Sequence, residues 1–226
     1  FDLRELVEDT LELLAESAFG KGIELFAVLP PEPGLYVKGD PNRLRQVLVN
    51  LLGNAIKFTD EGDVTLAVAM KRQPNGCVLV EMSVSDTGIG ISEEAKQRIF
   101  SAFSQADGSI SRQFGGTGLG LTISCQLVEM MGGELKLDSE PGIGSRFYFT
   151  LPLAEAEAIP DTFLPVSSAA VVTVIGNRKQ RMVVESLLGS LDVEAEGVRD
   201  LAQLSQQLQH RQEKQLPTTA LILDTA

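Results

Sequence analysis

Apolar positions in the first sixty residues follow the period of a helix, then of a strand, then of a helix again. Phe1, Leu3, Leu6, Val7, Leu11 and Leu14 recur at helical spacing, which predicts an amphipathic opening helix. A short apolar run over 23–29 predicts a strand, and Pro30, Pro31 and Pro33 then interrupt the chain. Asp40 directly before Pro41 is a cap followed by a first-turn proline, and Leu44, Val47, Leu48, Leu51, Leu52 and Ala55 lay one apolar face along a helix ending near Phe58. Strands follow over 64–70 and 78–85, where Val78, Val80, Met82 and Val84 alternate, and Pro74, Asn75 and Gly76 supply a turn, so the pair predicts a hairpin. Helices over 93–103 and 118–131, separated by a polar loop, precede a last hairpin of 134–137 and 145–151. The order αβαββααββ predicts an α+β fold, a two-layer α/β sandwich.

The pattern breaks near residue 154. Residues 154–168 carry two prolines and no clear period, which predicts a linker between a first domain, 1–153, and a second unit, 169–226. That unit reads βαβαβ, with strands at 171–175, 193–198 and 220–223 and helices at 182–191 and 201–208, the first half of a doubly wound parallel sheet. A sheet of this kind uses about five strands, so an end at Ala226 predicts a truncated unit. A chain of 226 residues with 43% apolar content can bury two such cores.

Charge narrows the partners. The formal net charge of −12 repels nucleic acid and anionic lipid, and no run of Lys and Arg offsets it. No apolar stretch approaches 18 residues and the start has no signal-peptide layout, so the expectation is a soluble cytoplasmic chain without direct membrane contact. Cys77 and Cys125 lack metal-ligand spacing and read as small core residues.

Four stretches carry candidate chemistry. Asn50, Asn54 and Lys57 stand four and three apart, on one side of one helix, amid residues that otherwise face a core. They bind a ligand or serve as local hydrogen-bonding groups. Asp86, Gly88 and Gly90 end an alternating strand with a carboxylate and two glycines, suited to a turn or to close approach of a flat ligand. Gly115, Gly116, Gly118 and Gly120 open a helix; such a segment aims free backbone N–H groups at a phosphate, or serves as a hinge. Gly142, Gly144 and Ser145 close the last hairpin. Neither a Walker P-loop nor a strand-GxGxxG-helix unit is present, which excludes two common nucleotide-binding folds for this domain.

Taken in order, these stretches, with Phe100, Phe103 and Gln105 and with Arg112 ahead of the glycines, resemble the boxes of the ATP-binding catalytic domain of sensor histidine kinases, within the GHKL superfamily. The resemblance covers 1–153 and implies the Bergerat ATP-binding fold with ATP and Mg²⁺ as ligands. It implies that Asp86 accepts from the adenine amino group, that Asn54 ligates Mg²⁺ and that Lys57 stands beside the phosphates. Asn50 matches the second asparagine of its box. Gly88 and Gly90 let the backbone pass close to the nucleotide, while Phe103, Gly116, Thr117, Gly118, Leu119 and Gly120 belong to boxes at the nucleotide. Ser145 lies at the adenine end, and residues 105–115 resemble a mobile lid with Arg112 at the γ-phosphate. Where the ATP-hydrolysing relatives carry a glutamate that activates water, this chain has Asn50, which favours a kinase over a hydrolase.

The implied phosphate acceptor is a histidine in an upstream dimerisation domain that pairs two copies. His210, the one histidine here, reads as a surface residue. The second unit resembles the start of a receiver domain, with Asp224 at the acceptor position but Gly176 and Asn177 where an acidic pair is required, so a degenerate receiver is expected. Kinase domain, linker and receiver in this order are similar to hybrid sensor kinases of the BarA/GacS type, which implies receiver or histidine phosphotransfer domains as partners and an inner-membrane sensor as the parent protein. A non-catalytic module regulating another sensor kinase remains the alternative.

Overall fold

The computed structural model describes residues 1–30, 35–74, 76–96, 98–99, 119–156, 170–190, 193–214 and 220–223. They form two units, one from the described residues up to 156 and one from 170 onward.

In the first unit the elements are α1 (Leu3–Gly20), β1 (Glu24–Val28), β2 (Val37–Lys38), α2 (Pro41–Phe58), β3 (Asp63–Arg72), β4 (Cys77–Asp86), α3 (Glu93–Lys96), α4 (Gly120–Met130), β5 (Lys136–Glu140) and β6 (Gly144–Glu155). The sheet runs β1-β3-β4-β6-β2, with β5 also paired to β6. β1 lies parallel to β3 and the other pairings are antiparallel. Both long helices begin on an aspartate: Asp2 accepts from the Arg4 N–H, and Asp40 from those of Asn42 and Arg43, with Pro41 in the first turn.

The core lies between the helices and one sheet face. Leu44, Val47, Leu48, Leu51, Leu52 and Ala55 of α2 are all buried, as the apolar stripe predicts. They join Leu3, Leu6 and Val7 of α1, the alternating Val64, Leu66 and Val68 of β3, Val78, Val80, Met82 and Val84 of β4, and Phe147, Phe149 and Leu151 of β6. Each of these side chains larger than alanine contributes about 1.5–3 kcal/mol by leaving water. On the opposite sheet face Arg146 pairs with Glu81 at 2.9 Å and lies 4.6 Å from the centre of the Tyr148 ring.

The last hairpin differs from expectation. β5 begins later than expected and continues through Asp138, Ser139 and Glu140, because main-chain pairing to β6 sustains a strand whose own side chains are mostly polar. Ala154 and Glu155, placed by composition in the linker, are the last residues of β6, paired with Lys38 and Val37 of β2. The helix expected over 93–103 is described only through Lys96, and the helix expected from 118 starts at Gly120. Cys77 and Cys125 are free thiols, each half-buried.

The second unit contains β7 (Ala170–Val174), α5 (Arg178–Ser190), β8 (Glu194–Val198), α6 (Leu201–Glu213) and β9 (Ala220–Leu223). Its three strands are parallel in the order β8-β7-β9. All five residues of β7 are buried, as befits the middle strand of a parallel sheet. No helix among the described residues is long and apolar enough to cross a membrane.

Candidate functional site

Three strand ends place three polar side chains in a row. Asp86 on β4 stands opposite Ser145 on β6, and Ser145 stands opposite Ser139 on β5. Residues directly opposite across a sheet share a face, so all three lie on the side where Val64, the partner of Asp86 on β3, meets the core. Asp86 Oδ1 accepts two backbone N–H groups, from Gly88 at 2.9 Å and from Ser145 at 3.2 Å. Oδ2 accepts no hydrogen bond among the described residues. Burial pushes the Asp86 pKa upward, and the two backbone N–H groups oppose that shift. A half-buried carboxylate with one oxygen anchored and the other open is a prepared acceptor for a ligand N–H.

The loop after Asp86 is stitched to the β5–β6 turn. Gly142 N–H donates to Ile89 O at 2.8 Å, and Ile91 N–H donates to Ser139 Oγ at 2.8 Å. Gly90, at φ 67°, and Gly144, at φ 135°, adopt backbone conformations that disfavour side chains. A Cβ on Gly90 would collide with Glu140 O, and one on Gly144 with Asp86 O. These glycines therefore let two turns pack edge to edge at the strand ends.

Helix α2 reaches the same loop with its C-terminal turn. Ile89 N–H donates to Phe58 O at 3.2 Å, and the Thr59 hydroxyl donates to Ala55 O at 2.8 Å. The ammonium of Lys21, just past the end of α1, donates to Ile56 O at 2.8 Å, Lys57 O at 3.0 Å and Thr59 O at 2.9 Å. Carbonyls that a helix end leaves unsatisfied are thus filled, and a cation sits where the helix dipole favours one.

The polar side of α2 carries the three residues singled out in the sequence. Asn50 Nδ2 donates to Ser124 Oγ of α4 at 2.8 Å, and Ser124 is 1% exposed. A Cβ on Gly120 would collide with Asn50 Oδ1, so glycine at the start of α4 allows this close approach. The side chain of Asn54 makes no hydrogen bond among the described residues, and it shares an open cleft of about 580 Å³ with Asn50, Gln46 and Val49. The Lys57 ammonium lies 5.0 Å from the centre of the Phe58 ring.

The structure therefore brings Asp86, Gly88, Gly90 and Ser145 into one cluster, links it through Phe58 to the helix of Asn50, Asn54 and Lys57, and sets Gly120, with Leu119 just before it at the start of α4, against Asn50. Phe103, Arg112, Gly116, Thr117 and Gly118, with the expected lid over 105–115, lie outside the described residues. Sequence reasoning missed Lys21, Ser124 and Ser139. Each acts through a partner at least six positions away, and only a known register could have exposed them. In the second unit, His210 is exposed on α6, and Asn177 Oδ1 accepts from the N–H groups of Lys179 at 2.8 Å and Gln180 at 3.3 Å, capping α5.

A mixed sheet covered by helices on one face, with a carboxylate and glycine loop at a strand end beside an asparagine-bearing helix, defines a GHKL-like α+β catalytic fold. Residues 39–155 match the family described as histidine kinase-, DNA gyrase B-, and HSP90-like ATPase, and the chain belongs to that family. It is 49% identical over 156 residues to the sensor protein GacS of Pseudomonas syringae pv. syringae, covering 69% of this chain and 17% of GacS. It is 46% identical over 153 residues to the signal transduction histidine-protein kinase BarA of Escherichia coli K12, covering 68% of this chain and 17% of BarA. The chain thus spans about a sixth of the length of these curated relatives.

Among solved structures, full-length ShkA in complex with AMPPNP matches with a TM-score of 0.74 and 27% identity, over 99% of this chain and 53% of ShkA. The catalytic domain of the histidine kinase ThkA matches with a TM-score of 0.54 and 30% identity, over 67% of this chain and 93% of that catalytic-domain chain.

Proposed function

We propose that residues 1–153 are the ATP-binding catalytic domain of a hybrid sensor histidine kinase, passing the γ-phosphate to a histidine of an upstream dimerisation domain outside this chain. The observation that carries this reading is the Asp86 carboxylate, with Oδ1 fixed by two backbone N–H groups and Oδ2 open at the end of the central strand. The donor set fits the nucleotide: the adenine amino group needs an acceptor, which Oδ2 supplies. The crowded approaches at Gly88 and Gly90 shape the loop that would run along the base. Asn54, with its amide uncommitted among the described residues, offers the hard oxygen that suits Mg²⁺, and Lys57 offers positive charge to the phosphates. Leu119 and Gly120, with 116–118 before them, would present backbone N–H groups to phosphate, and Arg112 with the lid over 105–115 would steady the γ-phosphate. ATP supplies the phosphoryl group; these residues bind it and orient it.

Asn50 weighs against hydrolysis. A neutral amide takes no proton from water, and Nδ2 already donates to Ser124. The upstream domain would pair two copies of the parent protein, and receiver or histidine phosphotransfer domains would accept the phosphate next. With a net charge of −12, nucleic acid is not a partner. By this reading the chain is the cytoplasmic part of an inner-membrane sensor. A linker beginning after Glu155 leads to a degenerate receiver, in which Asn177 caps a helix where a receiver would hold Mg²⁺ with carboxylates.

Incubating the chain with γ-labelled ATP, Mg²⁺ and a histidine-bearing helical domain of this type tests the assignment. Label on that histidine is the expected result. Sustained phosphate release by the chain alone would instead identify a hydrolase, and binding without transfer in any pairing would identify a regulatory module.

A further inference from the structure

Ser139 belongs to none of the boxes that mark the candidate site, yet its hydroxyl is the most heavily used side-chain group in the row. Ser139 Oγ accepts the Ile91 N–H at 2.8 Å, donates to Gly144 O at 2.9 Å, and lies 3.0 Å from Ser145 Oγ. A serine hydroxyl has one hydrogen and two lone pairs. A backbone carbonyl only accepts and a backbone N–H only donates, so the Ser139 hydrogen goes to Gly144 O. The hydrogen shared between the two hydroxyls is therefore that of Ser145. Ser145, 8% exposed, has its one hydrogen committed and keeps lone pairs for a ligand. Beside it stands Asp86, whose open oxygen is also an acceptor. The row thus presents acceptors alone.

We propose that Ser139 is a positioning residue that sets base selectivity, by holding the Ser145 hydroxyl as an acceptor so that Asp86 and Ser145 together receive both hydrogens of a purine 6-amino group. A 6-oxo purine would bring a carbonyl oxygen to a pair of acceptors with its N1–H as the one donor on that edge, leaving the carbonyl and at least one acceptor unpaired. This rests on the nucleotide reading above and adds to it how one amino group is distinguished from a carbonyl. Without Ser139 Oγ, the Ser145 hydroxyl rotates and donates, and the 6-oxo base is admitted.

The test compares affinities for ATP and inosine triphosphate by calorimetry, with urea unfolding as a check on each variant. The wild-type chain should prefer ATP. Ser139→Ala should narrow the preference by about tenfold, mainly by improving binding of inosine triphosphate. Ser139→Thr, which keeps the hydroxyl, should restore the preference. In a Ser145→Ala background, Ser139→Ala should leave the ratio unchanged, whereas a purely structural role would alter it equally in both backgrounds. An unchanged ratio in Ser139→Ala, with ATP still bound, overturns the proposal while leaving the nucleotide reading intact. A wild-type chain that binds neither nucleotide overturns both. On wild-type protein alone, N6-methyl-ATP, which has one N–H, should bind more weakly than ATP; equal binding also overturns the two-acceptor arrangement.

Discussion

Asp86 and Ser145 face each other across β4 and β6, and the Ser145 N–H donates to the same carboxylate oxygen that takes the Gly88 N–H. The open oxygen and the raised pKa are two consequences of one placement, a carboxylate drawn half into the core at a strand end. Because the folded-state pKa exceeds the unfolded-state value, the folded chain holds the proton more tightly in between. The contribution of Asp86 to stability is fully present below the unfolded-state pKa and lost as pH rises through the folded-state one. Ligand binding runs the opposite way, since it needs the ionised acceptor. ATP affinity should therefore fall on acidification within a window above the ordinary carboxylate range. Calorimetric titration across pH checks this; an affinity that holds until the ordinary aspartate pKa would remove Asp86 from contact with the ligand.

Lys21 bonds three carbonyls at the end of α2, an interaction from a side chain that is itself exposed. Lys21→Met should lower stability by about 1–2 kcal/mol, the scale of a cation at a helix C-terminus in favourable geometry, and Lys21→Arg should recover part of it. Urea unfolding gives the magnitude. Faster hydrogen exchange in the last turn of α2, and not in α1, would locate the effect.

Two glycines should respond differently to alanine. At Gly120 the added methyl meets the Asn50 side chain, which can rotate away by giving up Ser124. Stability should change by less than about 1 kcal/mol, because alanine also improves helix propensity. Nucleotide affinity should nonetheless fall, and the loss should vanish in an Asn50→Ala background. At Gly88 the methyl meets the Phe58 carbonyl, part of the backbone. That contact cannot be relieved by a rotamer, so Gly88→Ala should destabilise the fold by about 1–3 kcal/mol. Denaturant curves for the two variants decide the contrast.

For the second unit, Asn177 spends its side-chain oxygen on capping α5, where a phosphate-accepting receiver would need Mg²⁺ ligands. Acetyl phosphate with Mg²⁺ should leave this unit unmodified by mass spectrometry. An adduct lost in Asp224→Ala would make it a phosphate relay.

The legible parts of the sequence were those where one side-chain period reports burial. Asp40, Pro41 and the stripe from Leu44 to Ala55 located α2, and the alternation at Val78, Val80, Met82 and Val84 located β4. β2 has two residues, too few for any period. β5 turns Leu137 and Ser139 toward the side of the core and Lys136, Asp138 and Glu140 away, so one apolar residue is all that pattern can report. In the site, residues of chemically distinctive type in short motifs stood out: Asn50, Asn54, Asp86 and the glycines. Lys21, Ser124 and Ser139 are ordinary residue types whose importance comes from partners brought near by folding.

By the proposed function, the open oxygen of Asp86 receives a purine amino group. The decisive measurement is a calorimetric titration of Mg²⁺-ATP into the wild-type chain and into Asp86→Asn. The amide keeps one oxygen for the Gly88 and Ser145 N–H groups but turns a donor toward the base. Nucleotide affinity should fall by at least about tenfold, corresponding to an unpaired polar contact of about 1–3 kcal/mol, while urea stability at neutral pH stays level or rises because a half-buried charge is gone. Unchanged ATP affinity in a folded Asp86→Asn chain would contradict the account.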